Sequence, residues 1–543
     1  MKLRHLLFGL LAGVAFVACT NDDDPAGVTP VNGDKVATAD KYISVNLVMP
    51  DGAATRAIDD DGTQAGVGAE NVVKKAVFLF FKGEEQIAAP FPISVGGNDA
   101  NNEAWNTQDD AVIVMKNPTA IPDALVVLIN YDGTVEGKTL TQLKADKDNF
   151  AKDLPAEGKF VMSNSVYYDA AGNEVIGAPV TPADVYDDPG DAKDSPVTVN
   201  VERVVAKVTV EKASNATINS GVAGIDIEIN GWGLVYENTK SYLIKNLKSS
   251  YNFGANWAKW NEPDKFRSYW ADAPYDANNA ANTTWADATN PLGTTPVYTQ
   301  ENVMALPQKT IENGGKPTAV VVAATLKYKA SEEAEAKAVD LFKTRGIVYD
   351  TDNLITLMST GATPKKYFKD GTTAGTYVSL DPTDYTLEFV ENPTGIESYE
   401  AQVYLQLAST VTKVYTFEGT TPTTITNLTS VNEDLATYVE TVEYWQGGAT
   451  YYYVPIVQNS ALKVNVKKEA VGETPATYWG LFGVVRNHFY QLTINSIQGL
   501  GTAVPDPEQV IVPEIPEDND YYIAAEINIL DWKLVKQGVD LGK

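Results

Sequence analysis

The chain has 543 residues, 44% of them hydrophobic and 21% charged, with 71 acidic against 42 basic side chains and a formal net charge of -29. This length exceeds one compact core and the composition is globular, so two or three folded domains are expected. The acidic balance argues against nucleic acid, whose binding needs Lys and Arg to displace counterions, and suits a self-repelling surface in an extracellular setting.

At the N-terminus, Lys2, Arg4 and His5 precede an apolar run from Leu6 to Ala18, and Cys19 comes next. The run is too short to span a bilayer as a helix, which takes about 20 residues, and reads as a signal sequence over residues 1–18. The residues FVAC resemble a bacterial lipobox, so Cys19, the single cysteine of the chain, reads as a lipidation site. The acidic run Asp22, Asp23, Asp24 looks like the export signal of Bacteroidota surface lipoproteins. No cysteine is left to form disulfides, so stability must come from large cores and strand pairing.

Residues 42–50, YISVNLVMP, alternate with period two and put Ile43, Val45, Leu47 and Met49 on one face, as in a half-buried strand. Arg56 lies beyond them in the polar segment DGAATRAIDDDGTQAG, where a protease of trypsin-like specificity cutting between Arg56 and Ala57 would release that strand. Residues 72–81 and 124–131 read as buried strands, and Leu140, Leu143 and Phe150 predict one helix between Lys138 and Lys152 packed on a sheet. Residues 197–210 read as one long strand closing a first domain, with the Ser/Asn-rich residues 211–221 as a domain boundary. Beyond it, residues 225–236, 318–328, 403–407, 451–456 and 484–497 read as strands, and the aromatic, Asn-rich stretch 251–299 as long loops laid over a sheet. Residues 330–346, ASEEAEAKAVDLFKTRG, predict a helix closed by Gly346. The fold class expected is mainly β, two β-sandwich domains with a few helices and long loops.

The last residues, YYIAAEINILDWKLVKQGVDLGK, are unusually apolar for a chain end, which is normally polar and frayed. Ile523, Ala525, Ile527 and Ile529 share one face; Trp532 and Leu534 then shift the phase, and Val539 and Leu541 shift it back, as in two short consecutive strands. Such a tail suits a groove left in another copy of the chain when residues 42–50 depart, which is donor-strand polymerisation. The alternative, a tail forming the last strands of its own sandwich, stays open.

Little in the chain suggests catalysis. His488 is the one histidine beyond the signal sequence and shares a strand face with Tyr490, Leu492 and Ile494, so it reads as a buried structural residue. Ser–His, Cys–His and zinc chemistry therefore have little material, and no catalytic, cofactor or metal residues are assigned. The acidic runs Asp59 to Asp61 and Asp184 to Asp194 lack EF-hand spacing and read as solvated loops. The 28 Tyr and 9 Trp residues keep open a second class, a surface lipoprotein that binds glycan.

Several segments together resemble a known family: FVMSNS (160–165), VERVVAKV (201–208), NGWGLVYENTKSYLIKN (230–246), RSYWADAPY (267–275), YTQENV (298–303), YYYVPI (451–456) and GVVRNHFYQLTINSIQGLGTAVPDP (483–507). Their order, with the lipobox in front and the apolar tail behind, is similar to the fimbrillins that build the type V pili of Bacteroidota, in particular the stalk subunit of the short fimbriae. The resemblance implies transthyretin-like sandwiches and an outer-membrane lipoprotein precursor, palmitate-bearing at Cys19. It implies a cut between Arg56 and Ala57 by an arginine-specific surface protease, then insertion of the tail Tyr521 to Leu541 into a neighbour's groove. The implied layout is a signal peptide 1–18, a propeptide 19–56, domains 57–211 and 212–520, and a donor tail 521–543. Implied partners are other copies of the chain, anchor and tip subunits and a host or bacterial surface receptor, in adhesion and biofilm formation. The processing arginine and long tail favour a stalk over an anchor subunit; a tip adhesin stays an alternative.

Overall fold

The computed structural model describes residues 41–48, 63–64, 66–94, 111–151, 154, 160–165, 167–168, 174–192, 196–246, 283–304, 317–361, 367–456, 482–511 and 532–541. They form a mainly β protein of several sheets with few helices. The first strands are β1 (Lys41–Val48), β2 (Thr63–Gln64), β3 (Lys75–Lys82), β4 (Ala111–Met115), β5 (Ala124–Ile129), β6 (Met162–Asn164) and β7 (Val197–Arg203). All but β2 belong to one sheet, in the order β3, β5, β6, β7, β1, β4. β7 divides its pairing: Val197 to Asn200 run parallel to Val45 to Val48 of β1, and Val201 to Arg203 run antiparallel to β6. Ile43, Val45, Ile113 and Met115 from one half of this sheet and Phe78, Phe80 and Leu125 from the other fill a single core. β5 is buried along its whole length, which is why it reads as an unbroken apolar run.

The chain continues through β8 (Val205–Asn219), β9 (Ile225–Val235), β10 (Val297–Gln300), β11 (Ala319–Tyr328), β12 (Leu341–Thr344), β13 (Glu440–Trp445), β14 (Ala449–Pro455), β15 (His488–Gln498) and β16 (Trp532–Leu541). One sheet runs β10, β8, β15, β16, β2; another runs β9, β11, β14 and the short strand Thr502–Ala503. They share a core with a two-residue period: Val208, Val210, Tyr490, Leu492 and Ile494 meet Trp232, Leu234, Val320, Val322, Tyr452 and Val454. Around β12 and β13 lie two further sheets with smaller cores of their own. Gly231 of β9 allows residues 288–290 to lie against the strand, since a Cβ there would stand 2.7 Å from the Ala288 carbonyl oxygen. Trp232 and Asn290 then exchange two backbone hydrogen bonds of 3.0 Å. Residues 283–299 are thus partly laid on a sheet as expected, while 247–282 lie outside the described residues.

Three local expectations are corrected. Residues 197–210 are not one strand, because the chain passes from one sheet to the next at Val204, between β7 and β8. The Ser/Asn-rich residues 211–219 continue β8 instead of breaking the chain: their side chains are half-buried or exposed, but their backbone pairs with β15. Residues 330–346 form turns and strands in place of a helix, with Lys337–Ala338 on β11 and β12 on β13. The composition favours a helix, yet adjacent Leu341 and Phe342 are buried in separate clusters, and only a strand points neighbouring side chains to opposite faces. The helix that does form nearby covers Thr351–Gly361 and buries Leu354, Ile355 and Met358. The helix expected after Lys138 is present over Leu140–Ala145, closed at its start by reciprocal Thr139 and Gln142 hydrogen bonds and burying Leu140 and Leu143.

Where the first core meets the second, the contact is charged and buried. Arg203, at the end of β7, donates from Nε to the Glu70 carbonyl at 2.9 Å, from Nη2 to Asn71 at 2.5 Å and from Nη1 to Asn487 at 3.1 Å. Lys207 of β8 pairs with the Glu70 carboxylate at 2.7 Å, and the Tyr298 hydroxyl donates to the same oxygen. Arg486 and Glu301, both 0% exposed, pair at 2.9 Å, and Arg486 also donates to the carbonyls of Tyr242 and Leu243. Lys245 and Glu202 form a third buried pair at 3.0 Å. Burial pushes the Glu70 carboxyl up, but the Lys207 and Tyr298 hydrogen bonds, the Lys207 charge and the Val67 amide outweigh it and leave its pKa lowered. At Glu202 burial prevails over Lys245 and Arg486, and the pKa is raised.

Two outcomes are expected. Arg486→Leu leaves the Glu301 carboxylate buried without its cation and should cost about 3–5 kcal/mol in urea unfolding. Because the folded pKa of Glu70 is depressed, its stabilisation is present above the unfolded value of about 4.3 and is lost as pH falls through the folded value. The melting temperature of Glu70→Gln should therefore lie furthest below that of the parent near pH of about 7, and the gap should narrow below about pH 4.

Candidate functional site

The alternation of residues 42–50 folds as an interior strand. β1 lies between β7 and β4, parallel to the first and antiparallel to the second, with Ile43 opposite Ile113 and Val45 opposite both Ala111 and Val197. Ile43 and Val45 are fully buried; Leu47 is paired with Val199; Met49 lies outside the described residues. At the start of β1, Tyr42 and Tyr186 exchange backbone hydrogen bonds of 2.8 and 2.9 Å, and Lys41 pairs with Asp187. Ser44 is also buried, and its hydroxyl has no hydrogen-bond partner among the described residues. Burying Ile43 and Val45 stabilises by roughly 1.5–3 kcal/mol each. Removing β1 would strip β4 of its strand partner and open the edge of β7 at Val197 to Asn200. A two-sided slot of that kind accepts only another extended strand, since both backbone edges then need partners.

β1 ends at Val48 and the described residues resume at β2, so Arg56 and Ala57 lie outside them, as does Cys19. Of the tail, Ile523, Ala525, Ile527 and Ile529 also lie outside them. Trp532, Leu534, Val539 and Leu541 are in β16, which runs parallel to β15 in the same chain, with Leu534 opposite Phe489, Val539 opposite Ile494 and Leu541 opposite Ile497. One strand therefore carries both apolar phases of residues 532–541. The register slips between Ile494 and Ser496 on β15, beside Val539 and Asp540. On its other edge β16 meets β2, Trp532 opposite Gln64 and Lys533 opposite Thr63. The displaced-strand residues and the tail residues thus sit in different sheets.

His488 is buried in β15 with Nδ1 at 2.7 Å from the Arg486 carbonyl. Among the described residues no cluster of histidine, cysteine and carboxylate side chains is spaced to hold a metal ion. Two features escape a reading of the sequence. One is the β2–β16 ladder, too short to have a period. The other is the charged junction, whose signal was present in VERVVAKV, where the charged Glu202, Arg203 and Lys207 stand in a strand sequence otherwise apolar and are buried with it.

Among solved structures, a fimbrilin from Porphyromonas gingivalis is similar at 14% identity, over 64% of this chain and 89% of that one, with a TM-score of 0.29. The tip fimbrial protein Mfa3 from Porphyromonas gingivalis, with C-terminal truncation, is similar at 13% identity, over 68% and 98%, with a TM-score of 0.28. A fimbrial assembly protein from Parabacteroides distasonis is similar at 9% identity, over 68% and 96%, with a TM-score of 0.23. No curated protein matches the chain. Residues 443–538, which include β14, β15 and most of β16, match the family described as major fimbrial subunit protein type IV, fimbrillin, C-terminal.

Proposed function

We propose that the chain is the structural stalk subunit of a cell-surface fimbria, exported as an outer-membrane lipoprotein through Cys19, matured by a cut between Arg56 and Ala57, and polymerised by its C-terminal tail. The observation that carries this reading is the place of β1: an interior strand, upstream of Arg56, whose loss leaves paired edges open. The fimbrillin match over residues 443–538 supports it from the other end of the chain.

The physical steps are consistent. While β1 occupies its slot it is covalently tethered there, so a second chain competes poorly. Once the link is cut, β1 becomes a separate peptide and dilutes away. A neighbour's residues 521–541 bring Ile523, Ala525, Ile527, Ile529, Trp532, Leu534, Val539 and Leu541. Burying four to eight of these side chains yields a gross gain on the order of 10 kcal/mol, reduced by ordering and association. A contact between the slot of one subunit and the tail of the next does not close on itself, so it propagates a filament. In this reading residues 19–56 are the propeptide and 521–543 the donor tail, and the two main domains, expected as 57–211 and 212–520, divide instead at the passage from β7 to β8 at Val204. The partners are copies of the chain, anchor and tip subunits and an arginine-specific surface protease.

Treating the full precursor with an arginine-specific protease should yield a product beginning at Ala57 that forms ladders on a gel, while Arg56→Ala stays monomeric under the same treatment. Ladders from the Arg56→Ala protein would overturn the processing step. Deleting residues 521–543 should leave a folded, protease-trimmed subunit that does not polymerise; fibres from that truncated chain would overturn the role of the tail.

A further inference from the structure

The link that carries Arg56 joins two strands with different places in the fold. Upstream is β1 in the first sheet; downstream, seven residues after Arg56, begins β2 on the outer edge of the C-terminal strand. β2 covers only the start of β16, at Trp532 and Lys533, and among the described residues no other strand pairs with that edge. The segment just after β2 is firmly seated. Asn71 donates to the Gly66 carbonyl at 2.7 Å, Arg203 donates to Asn71 and to the Glu70 carbonyl, and Lys207 pairs with Glu70. A Cβ on Gly66 would collide with the side chains of Asn71 and Arg203, so the chain passes this point at its closest approach to the junction. β2 is therefore followed at once by the buried junction and joined through the chain, on its other side, to β1.

We propose that β2 is a clasp on the C-terminal strand, so that the cut after Arg56 loosens the donor strand in the same event that frees β1 and opens the acceptor. This rests on the processing reading above. A two-residue ladder contributes little by itself, and it persists because its connections along the chain keep it near its partner strand. After the cut, Ala57 to Gly62 become a free end, and a short ladder next to a free end frays. β16 is then an edge strand held by β15 alone. In the uncut precursor the same clasp keeps the tail at home, so an unprocessed chain is a poor donor as well as a closed acceptor.

The test is hydrogen exchange by mass spectrometry on the peptide covering residues 532–541. The samples are the full precursor, the protease-cut precursor, and uncut Arg56→Ala with and without Thr63→Pro and Gln64→Pro, which remove the β2 amide donors. Exchange at the start of β16 should speed up roughly tenfold on cutting, and by a similar factor in the uncut proline variant, while residues 124–129 keep their protection. The cut sample gives an answer even where the proline variant fails to fold. Unchanged exchange after cutting, or full protection in a folded proline variant, overturns the clasp. The two readings fail separately: fibres that form with tail exchange unchanged remove the clasp alone, and a tail that loosens without forming fibres removes the polymerisation reading alone.

Discussion

A strand inside a sheet must satisfy two backbone edges at once, and β1 is such a strand. It comes from residues 41–48, ahead of Arg56, yet it joins β7 to β4 and supplies Ile43 and Val45 to the core of the first sheet. Most small domains keep their interior strands within the segment that remains after processing. Under the proposed cut after Arg56 the interior position is filled from outside the remaining chain, which would then begin with an open place in its own sheet.

The other end of the chain presents the converse problem. β16 is a strand with a home beside β15, paired from Lys533 to Leu541 with one slip of register beside Val539 and Asp540, and its partners Tyr490 and Ile494 belong to the second core. Were β16 to act as the proposed donor, it would compete with its own intramolecular pairing, which would set the free-energy difference for exchange well below the gross burial of its side chains. Small holding contacts, such as the pairing of Thr63–Gln64 with Trp532 and Lys533, then have leverage out of proportion to their size.

Between the two ends lies the charged junction. Buried ion pairs such as Arg486–Glu301 and Lys207–Glu70 give weak net stability, because desolvation offsets attraction. They do impose direction: the Arg486 guanidinium, bonded at once to Glu301, Leu243 and Tyr242, tolerates one arrangement of the strands around it. The junction thereby fixes how β7 of the first sheet and β8 and β15 of the second meet.

Much of this was legible in the residues. Alternation located β1, β9, β14 and β15, and apolar runs located β3, β5 and β11, because burial on one or both faces of a strand writes itself with period two or with none. Where the reading failed, local preference met a distant demand: the helix-favouring residues 330–346 yielded to the need to bury Leu341 and Phe342 on opposite faces, and the polar residues 211–219 became strand because β15 offered backbone partners. Periodicity along the chain thus revealed which stretches are strands with an apolar face, residues 42–50 among them. Only the tertiary structure decided which edges meet, that β1 is interior and that residues 532–541 rest on β15 with Thr63–Gln64 beside them, because periodicity is a property of neighbours along the chain whereas pairing joins residues hundreds of positions apart.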